Sequence, residues 1–128
     1  SPAAAAPPKP QAGPADGAVQ ILGLLQRDAR LVDFLMEDIS AYSDDQVGAA
    51  VRDVQTNSRQ VLTRHLKLAP VIDGVEGTYT ATEGLAKDGY RLVGNVPPSG
   101  KAPGGMLRHR GWKTKAGKIV APAELEIE

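Results

Sequence analysis

The chain of 128 residues is long enough for one domain with one hydrophobic core. It has no cysteine and only two histidines, which excludes disulfides, thiolate metal sites, cysteine nucleophiles and any site built of three histidines. Its 15 acidic and 15 basic residues cancel, which argues against a generic nucleic-acid or membrane binder that acts through net charge. No apolar run approaches the roughly 18 residues that span a bilayer.

Proline and alanine dominate the start of the chain, where five of the ten prolines lie within the first fourteen residues. Because this composition offers no large side chain to bury, residues 1–15 are predicted to be a disordered linker. The remainder, residues 16–128, is predicted to form a single α+β domain. It divides into a helical hairpin over residues 16–69 and a β-rich part over residues 70–128.

Two amphipathic helices are predicted after the linker. Asp16 is the candidate N-cap of the first helix, and large apolar residues then recur at three- and four-residue spacing as far as Ile39. The second helix starts with a capping box, in which the side chains of Ser43 and Gln46 each accept a hydrogen bond from the backbone of the other. It ends before Pro70, because the residue ahead of a proline avoids helical angles. Joined by so short a turn, the two helices are expected to pack as an antiparallel hairpin.

From Pro70 onward the apolar residues alternate, as they do in strands, and glycine or proline separates the alternating runs. Four to six short strands are predicted over residues 71–72, 77–81, 90–96 and 106–112, at 119 and over 125–127. We therefore expect a small antiparallel sheet or an open barrel, which together with the helices makes an α+β fold.

The segment LRHRGW is the strongest candidate for a binding site. In a strand over residues 106–112, Arg108, Arg110 and Trp112 share one face. Lys113 follows directly and is included in the candidate site. Two guanidinium groups beside an indole can bind a phosphate, a carboxylate or a stacked base. The alternative is that Trp112, the only tryptophan, is buried in the core and that the arginines line a solvated edge.

Three other groups of residues are better explained by a structural role than by a binding or catalytic one. GNVPPSGKA, residues 94–102, has the wrong glycine spacing for a phosphate loop and no hydroxyl after its lysine, so a flexible hairpin loop is expected. His65 is expected to favour the helix dipole at the end of the second helix. Asp33, Glu37 and Asp38 are expected on a solvated helix face, because no loop spacing for calcium is present. No metal ion or cofactor is expected, and no catalytic residue is assigned.

The neutral total conceals two segments of opposite charge. Residues 16–45 carry seven acidic and two basic side chains, a net charge of −5. Residues 84–123 carry eight basic side chains and a single acid, Asp88, a net charge of +7. Either the acidic helices pack against the basic strands, or the strand region offers a basic binding face.

The helical segment LLQRDARLVDFLMEDISAYSDDQVGAAVRDV resembles a bacterial family known as domain of unknown function 2760. RLVGNV, LRHRGW and IVAPAELEI resemble the later blocks of the same family, so the similarity runs from about Ala18 to the end of the chain. The family implies no activity and no ligand. It implies instead a genomic neighbourhood that contains relatives of the seventy-kilodalton heat-shock chaperones.

A second similarity involves GWKTKAGKIVAPAELEI, from Gly111 to Ile127. This segment is similar to the C-terminal β-domain of the bacterial nucleotide-exchange factor that serves those chaperones. The shared pattern is a glycine, an aromatic residue and a basic turn, followed by a strand and Pro-Ala. The resemblance implies a chaperone as a partner.

Two functions therefore remain open for the chain. The resemblance favours a non-enzymatic protein–protein interaction module or cofactor of a heat-shock-type chaperone. The charge pattern leaves open a small nucleic-acid or anion-binding module that uses the basic strand region. An enzyme is not expected, because no nucleophile, base and orienting acid can be assembled. We expect a cytoplasmic location, although the first residue is serine and an apolar segment ahead of it could tether the parent protein to a membrane.

Overall fold

The computed structural model describes residues 13–128, in which helices come first and strands follow. The predicted α+β class is thereby confirmed. The helices are α1 (Pro14–Ala29), α2 (Leu31–Met36) and α3 (Asp44–His65). The strands are β1 (Ala69–Pro70), β2 (Tyr79–Ala81), β3 (Tyr90–Gly94), β4 (Gly104–His109), β5 (Trp112–Lys113), β6 (Ile119–Ala121) and β7 (Ala123–Ile127). The predicted linker lies outside the described residues except for its last three, of which two already belong to α1.

The chain divides into two compact units. The first unit ends at Val61 and the second runs from Leu62 to Glu128. Helices make up the described part of the first unit, whereas the second contains the last turn of α3 and all of the described strands.

The first predicted helix is divided in two. Gly13 is the N-cap of α1, and Asp16, the predicted cap, lies in the first turn, where its carboxylate accepts a hydrogen bond from the Gly13 N–H at 3.0 Å. The helix ends where Arg30 adopts a left-handed conformation (φ 55°), and α2 begins at the next residue. The prediction of one continuous helix as far as Ile39 is therefore wrong. Its apolar spacing continues across the break, so the pattern gives no sign of the change in backbone direction.

The second predicted helix, α3, begins with the expected capping box. The Gln46 N–H donates to Ser43 Oγ at 3.2 Å, and the Ser43 N–H donates to Gln46 Oε1 at 3.0 Å. At the other end the Lys67 N–H donates to the Leu62 carbonyl at 3.1 Å, and Lys67 is left-handed (φ 50°). The helix thus ends before Pro70, as predicted. Neither α3 nor any other helix within residues 13–128 has an apolar stretch long enough to cross a membrane.

Few side chains in the described part of the first unit are buried. Leu25, Ala29 and Val61 are buried, whereas Leu35 and Met36 are 63% and 80% exposed. The apolar spacing in the first part of the chain therefore predicts a wider buried helix face than the structure has. Several large apolar side chains of this face lie in solvent.

In the described part of the second unit the strands form two small sheets, neither of which closes into a barrel. The first has the strand order β1-β5-β6 with antiparallel pairs. The second has the order β2-β4-β7-β3, in which β3 and β7 are parallel and the other pairs antiparallel. The second sheet is thus mixed, where an antiparallel sheet was predicted. The loop over residues 95–103, predicted to close a hairpin, instead carries the chain from β3 past β7 to β4.

The core of the second unit lies on one face of the four-stranded sheet. Leu107 on β4 is opposite Leu125 on β7, and these two residues and Ala123 are fully buried. The same apolar cluster includes Ile72, with Val71, Leu85, Tyr90 and Leu92 packed against it. Because successive strand residues point to opposite faces, Glu124 and Glu126 of β7 lie on the other face of the sheet.

Candidate functional site

The segment LRHRGW forms parts of two strands and not one. β4 ends at His109 and β5 begins at Trp112, with Arg110 and Gly111 between them. Gly111 is left-handed (φ 71°), and a bulge shifts the strand register beside His109. The prediction that Arg108, Arg110 and Trp112 share one strand face is therefore wrong, because both irregularities interrupt the alternation on which it rests.

Arg108 is already paired on the polar face of the four-stranded sheet. Its guanidinium pairs with the Glu126 carboxylate on β7. Further along β7, Glu124 pairs with Arg91 of β3 and lies 3.4 Å from Nε2 of His109. Each such exposed pair contributes only about 0–1 kcal/mol to stability. The pairs nevertheless neutralise Arg91 and Arg108, which the sequence counts toward a basic face. The two glutamates were missed in the sequence because they lie just beyond residues 84–123, the segment whose charge was counted. The alternation in AELEI is the signal that could have placed both of them on one face of a strand.

Trp112 lies at the surface of the three-stranded sheet. It pairs in register with Pro70 of β1 and Ala121 of β6, and it is 45% exposed. The expectation that the only tryptophan is buried in the core is therefore wrong, since Leu107 and Leu125 fill the centre of the core in the other sheet. A large ring with half of its surface in solvent is suited to anchoring a partner.

Lys113 lies on the other side of β5 from Trp112, because successive strand residues alternate. It is half-buried and lines a cleft of about 370 Å³. The cleft is also lined by Leu85, Tyr90 and Ile119, with the carboxylate of Asp88 as its acidic group. Of the four residues predicted for the binding site, Lys113 is thus separated by the sheet from the exposed indole.

The turn between β5 and β6 is tight and basic. The Thr114 N–H donates to the Lys118 carbonyl, and the Gly117 N–H donates to the Thr114 carbonyl, each at 2.9 Å. Unlike Arg108, the cations along this hairpin form no ion pair within residues 13–128. We refer to Arg110, Trp112, Lys115 and Lys118 as the hairpin site; Lys113 is not part of it, because it lines the cleft on the other side of β5.

The remaining candidates from the sequence take part in local structure. His65 is exposed in the last turn of α3. Asp33 lies on α2, whereas Glu37 and Asp38 follow that helix and do not lie on its face. Asp38 accepts hydrogen bonds from the hydroxyl and the backbone N–H of Ser40, at 2.7 and 3.0 Å, which lower the pKa of Asp38 below its ordinary value. Within residues 13–128 no cluster of three or more histidine, aspartate or glutamate side chains is placed to hold a metal ion.

Comparison with known families places this geometry in context. The family model described as Domain of unknown function (DUF2760) matches residues 14–126, which include all three helices and the hairpin site. The chain belongs to the DUF2760 family. The family resemblance drawn from the sequence is therefore confirmed. No curated protein and no solved structure matches this DUF2760 chain significantly.

Proposed function

We propose that this DUF2760 protein is a non-enzymatic interaction module that docks on a protein partner through the hairpin site. The observation that carries the proposal is the exposure of Trp112, which is 45% in solvent on the middle strand of a sheet. Tryptophan and arginine are enriched at protein interfaces, where a few such side chains carry most of the binding energy. Arg110 and the lysines of the hairpin site add cations that no acid within residues 13–128 neutralises.

The proposed partner is a chaperone of the seventy-kilodalton heat-shock type, and the proposed location is the bacterial cytoplasm. The support is the similarity of residues 111–127 to the C-terminal β-domain of the nucleotide-exchange factor of those chaperones. In the structure these residues form β5, its turn, β6 and β7. The similar segment therefore contains a complete hairpin and the strand after it. Trp112 lies on the first strand of that hairpin.

A titration of the fluorescently labelled chain with a purified seventy-kilodalton chaperone tests the proposal. We expect saturable binding that Trp112→Ala weakens by about tenfold or more, because a buried aromatic anchor contributes over 1 kcal/mol. The variant Arg108→Ala is the matched control, since Glu126 already neutralises that cation, and it should bind like the parent. Circular dichroism of each variant checks that the fold is retained. Failure of the parent to bind the chaperone would overturn the choice of partner.

The alternative of a nucleic-acid or anion-binding module predicts a different outcome. Affinity for an oligonucleotide would fall steeply with salt, because bound cations release counterions from the phosphates. The double variant Arg108→Ala, Arg110→Ala would then lose most of the binding. We expect weak or no oligonucleotide binding, and in a chaperone titration a modest salt dependence. Micromolar oligonucleotide binding at physiological salt, abolished by the double variant, would overturn the interaction proposal.

A further inference from the structure

An apolar groove of about 270 Å³ lies in the first unit, between α2, the loop after it and the start of α3. Phe34, Ile39 and Val47 line it, and the ring of Tyr42 forms part of its wall. The Tyr42 hydroxyl donates to Glu37 Oε1 at 2.9 Å, which holds the ring in place. This hydrogen bond raises the pKa of Tyr42 above its ordinary value.

Large apolar side chains that do not line the groove are also exposed on α2 and α3. Leu35 and Met36 directly follow Phe34, and Val51 follows the last lining residue on α3; they are 63%, 80% and 42% exposed. These side chains leave further apolar surface of α2 and α3 in solvent. Methionine adds adaptability, because its flexible thioether packs against varied partners.

The segment that forms the groove is acidic, with Arg30 and Arg52 directly outside its ends. Residues 31–51 contain five acidic side chains and no lysine or arginine. Asp33 is paired with Arg30 at 2.9 Å. The other four carboxylates form no ion pair with a cation within residues 13–128; they are Glu37, Asp38, Asp44 and Asp45. Of these, Glu37 lines the groove and Asp38 is the next residue, so the groove has carboxylates beside it that a basic partner can neutralise.

We propose that this groove is a docking site for a basic amphipathic segment of a partner protein. Apolar side chains of the segment enter the groove, and its flanking lysines or arginines meet the carboxylates, as in other helix-in-groove complexes. The groove is smaller than the roughly 300–1,000 Å³ of pockets that bury a whole drug-sized ligand, so it fits the anchor side chains of a longer segment. An acidic segment would face like charges, which are costly at an interface. The site lies wholly in the first unit and does not depend on the function proposed for the hairpin site.

Fluorescence anisotropy of a labelled synthetic peptide, built of leucine and lysine at helical spacing, tests this proposal with the full chain. Two control peptides separate its two components. One replaces every lysine with glutamate, and the other replaces every leucine with glycine. We expect both controls to bind at least about tenfold more weakly, because binding needs the apolar anchors and the cations together.

Variants of the groove locate the binding site. Ile39→Ser should weaken binding of the leucine–lysine peptide about tenfold, whereas Val19→Ser, an exposed apolar position on α1, should leave it unchanged. The pair Glu37→Gln, Asp38→Asn should weaken it several-fold at low salt and less at high salt, because exposed charges are screened. Asp73→Asn with Glu76→Gln removes the same charge from the second unit and should have no effect. Trp112→Ala should also leave peptide binding unchanged, which separates this site from the hairpin site.

Several results would overturn the proposal. Equal binding of the glycine–lysine peptide would mean attraction by charge alone, and equal binding of the leucine–glutamate peptide would mean that the carboxylates play no part. Unchanged affinity of both Ile39→Ser and the Glu37 and Asp38 double variant would place the peptide elsewhere. Sedimentation of the parent as a dimer that Ile39→Ser converts to a monomer would assign the groove to a second copy of this chain.

Discussion

Gly111 is a single residue on which the corner between β4 and β5 depends. Its backbone is left-handed (φ 71°), a conformation that side chains disfavour. A Cβ atom at this position would lie 2.5 Å from the Ala123 backbone nitrogen and 2.6 Å from the Ala121 carbonyl oxygen. Because both neighbours are backbone atoms of the segment that joins β6 to β7, they cannot move aside as a flexible side chain would. The glycine of LRHRGW is therefore explained by its backbone conformation and by packing together.

Gly111→Ala is expected to lower the free energy of unfolding by about 3 kcal/mol or more, through backbone strain and overpacking together. Gly117→Ala is the matched control, since Gly117 is also left-handed (φ 83°) but no atom lies within 4 Å of its Cβ position. It should cost only about 1 kcal/mol. Urea unfolding followed by the fluorescence of Trp112 measures both. Equal costs would show that the close approach to the β6–β7 segment contributes nothing.

At the scale of elements, α3 and the residue that caps it contain two serines whose hydroxyl groups differ in their surroundings. The Ser43 hydroxyl accepts the Gln46 N–H and caps the helix, as the sequence predicts. The Ser58 hydroxyl is buried and has no hydrogen-bond partner within the described part of the chain. An unsatisfied buried hydroxyl is a cost to the folded state, whereas a cap is a gain.

The same substitution should therefore have opposite effects at the two positions. Ser43→Ala is expected to destabilise the protein by about 1 kcal/mol, because the Gln46 N–H in the first turn loses its capping acceptor. Ser58→Ala should instead leave stability unchanged or raise it by up to about 1 kcal/mol, since alanine favours the helix and leaves no polar group unpaired. Thermal unfolding followed by far-ultraviolet circular dichroism compares the two variants. A loss of stability in Ser58→Ala would contradict the conclusion that the Ser58 hydroxyl has no hydrogen-bond partner.

Local chemistry accounts for what the sequence predicts correctly about the elements. The capping box joins residues three apart, and Pro70 restricts the residue directly before it, so both are visible within a few positions. The break at Arg30 is not visible, because apolar residues continue on both sides of it. The parallel pairing of β3 with β7 joins segments about thirty residues apart, and alternation alone does not show which strands become neighbours.

The candidate site was predicted only in part, because its local features are visible in the sequence and its contacts between strands are not. LRHRGW was correctly placed among the strands, but Gly111 within it signals an interruption that the strand prediction overlooked. The partner of Arg108 is Glu126 on another strand, which only tertiary structure brings close. The exposure of Trp112 follows from the division of the strands into two sheets, because the core forms on the sheet that lacks the tryptophan.

For the molecule as a whole, burial is unevenly distributed. β4 and β7 are the inner strands of the four-stranded sheet, and they contain the fully buried Leu107, Ala123 and Leu125. α2 has six residues, none of them buried. Local opening costs little where few apolar groups are buried and approaches the global free energy of unfolding in the core. β5 and β6 also contain no buried residue, so both surfaces that we propose for binding lie outside the most buried strands.

Hydrogen exchange should reveal this distribution directly. The amides of β4 and β7 are expected to exchange at least about a hundredfold more slowly than those of α2, because their release requires opening of the core. The Leu107 N–H, which donates to the Thr78 carbonyl at 2.8 Å, should be among the slow ones. Leu107→Ala removes a fully buried side chain at a cost of about 2–5 kcal/mol, so it should raise the exchange rates across β4 and β7 together. Exchange in α2 as slow as in β4, measured residue by residue by NMR, would mean that the first unit is held by interactions that its sparse burial does not explain.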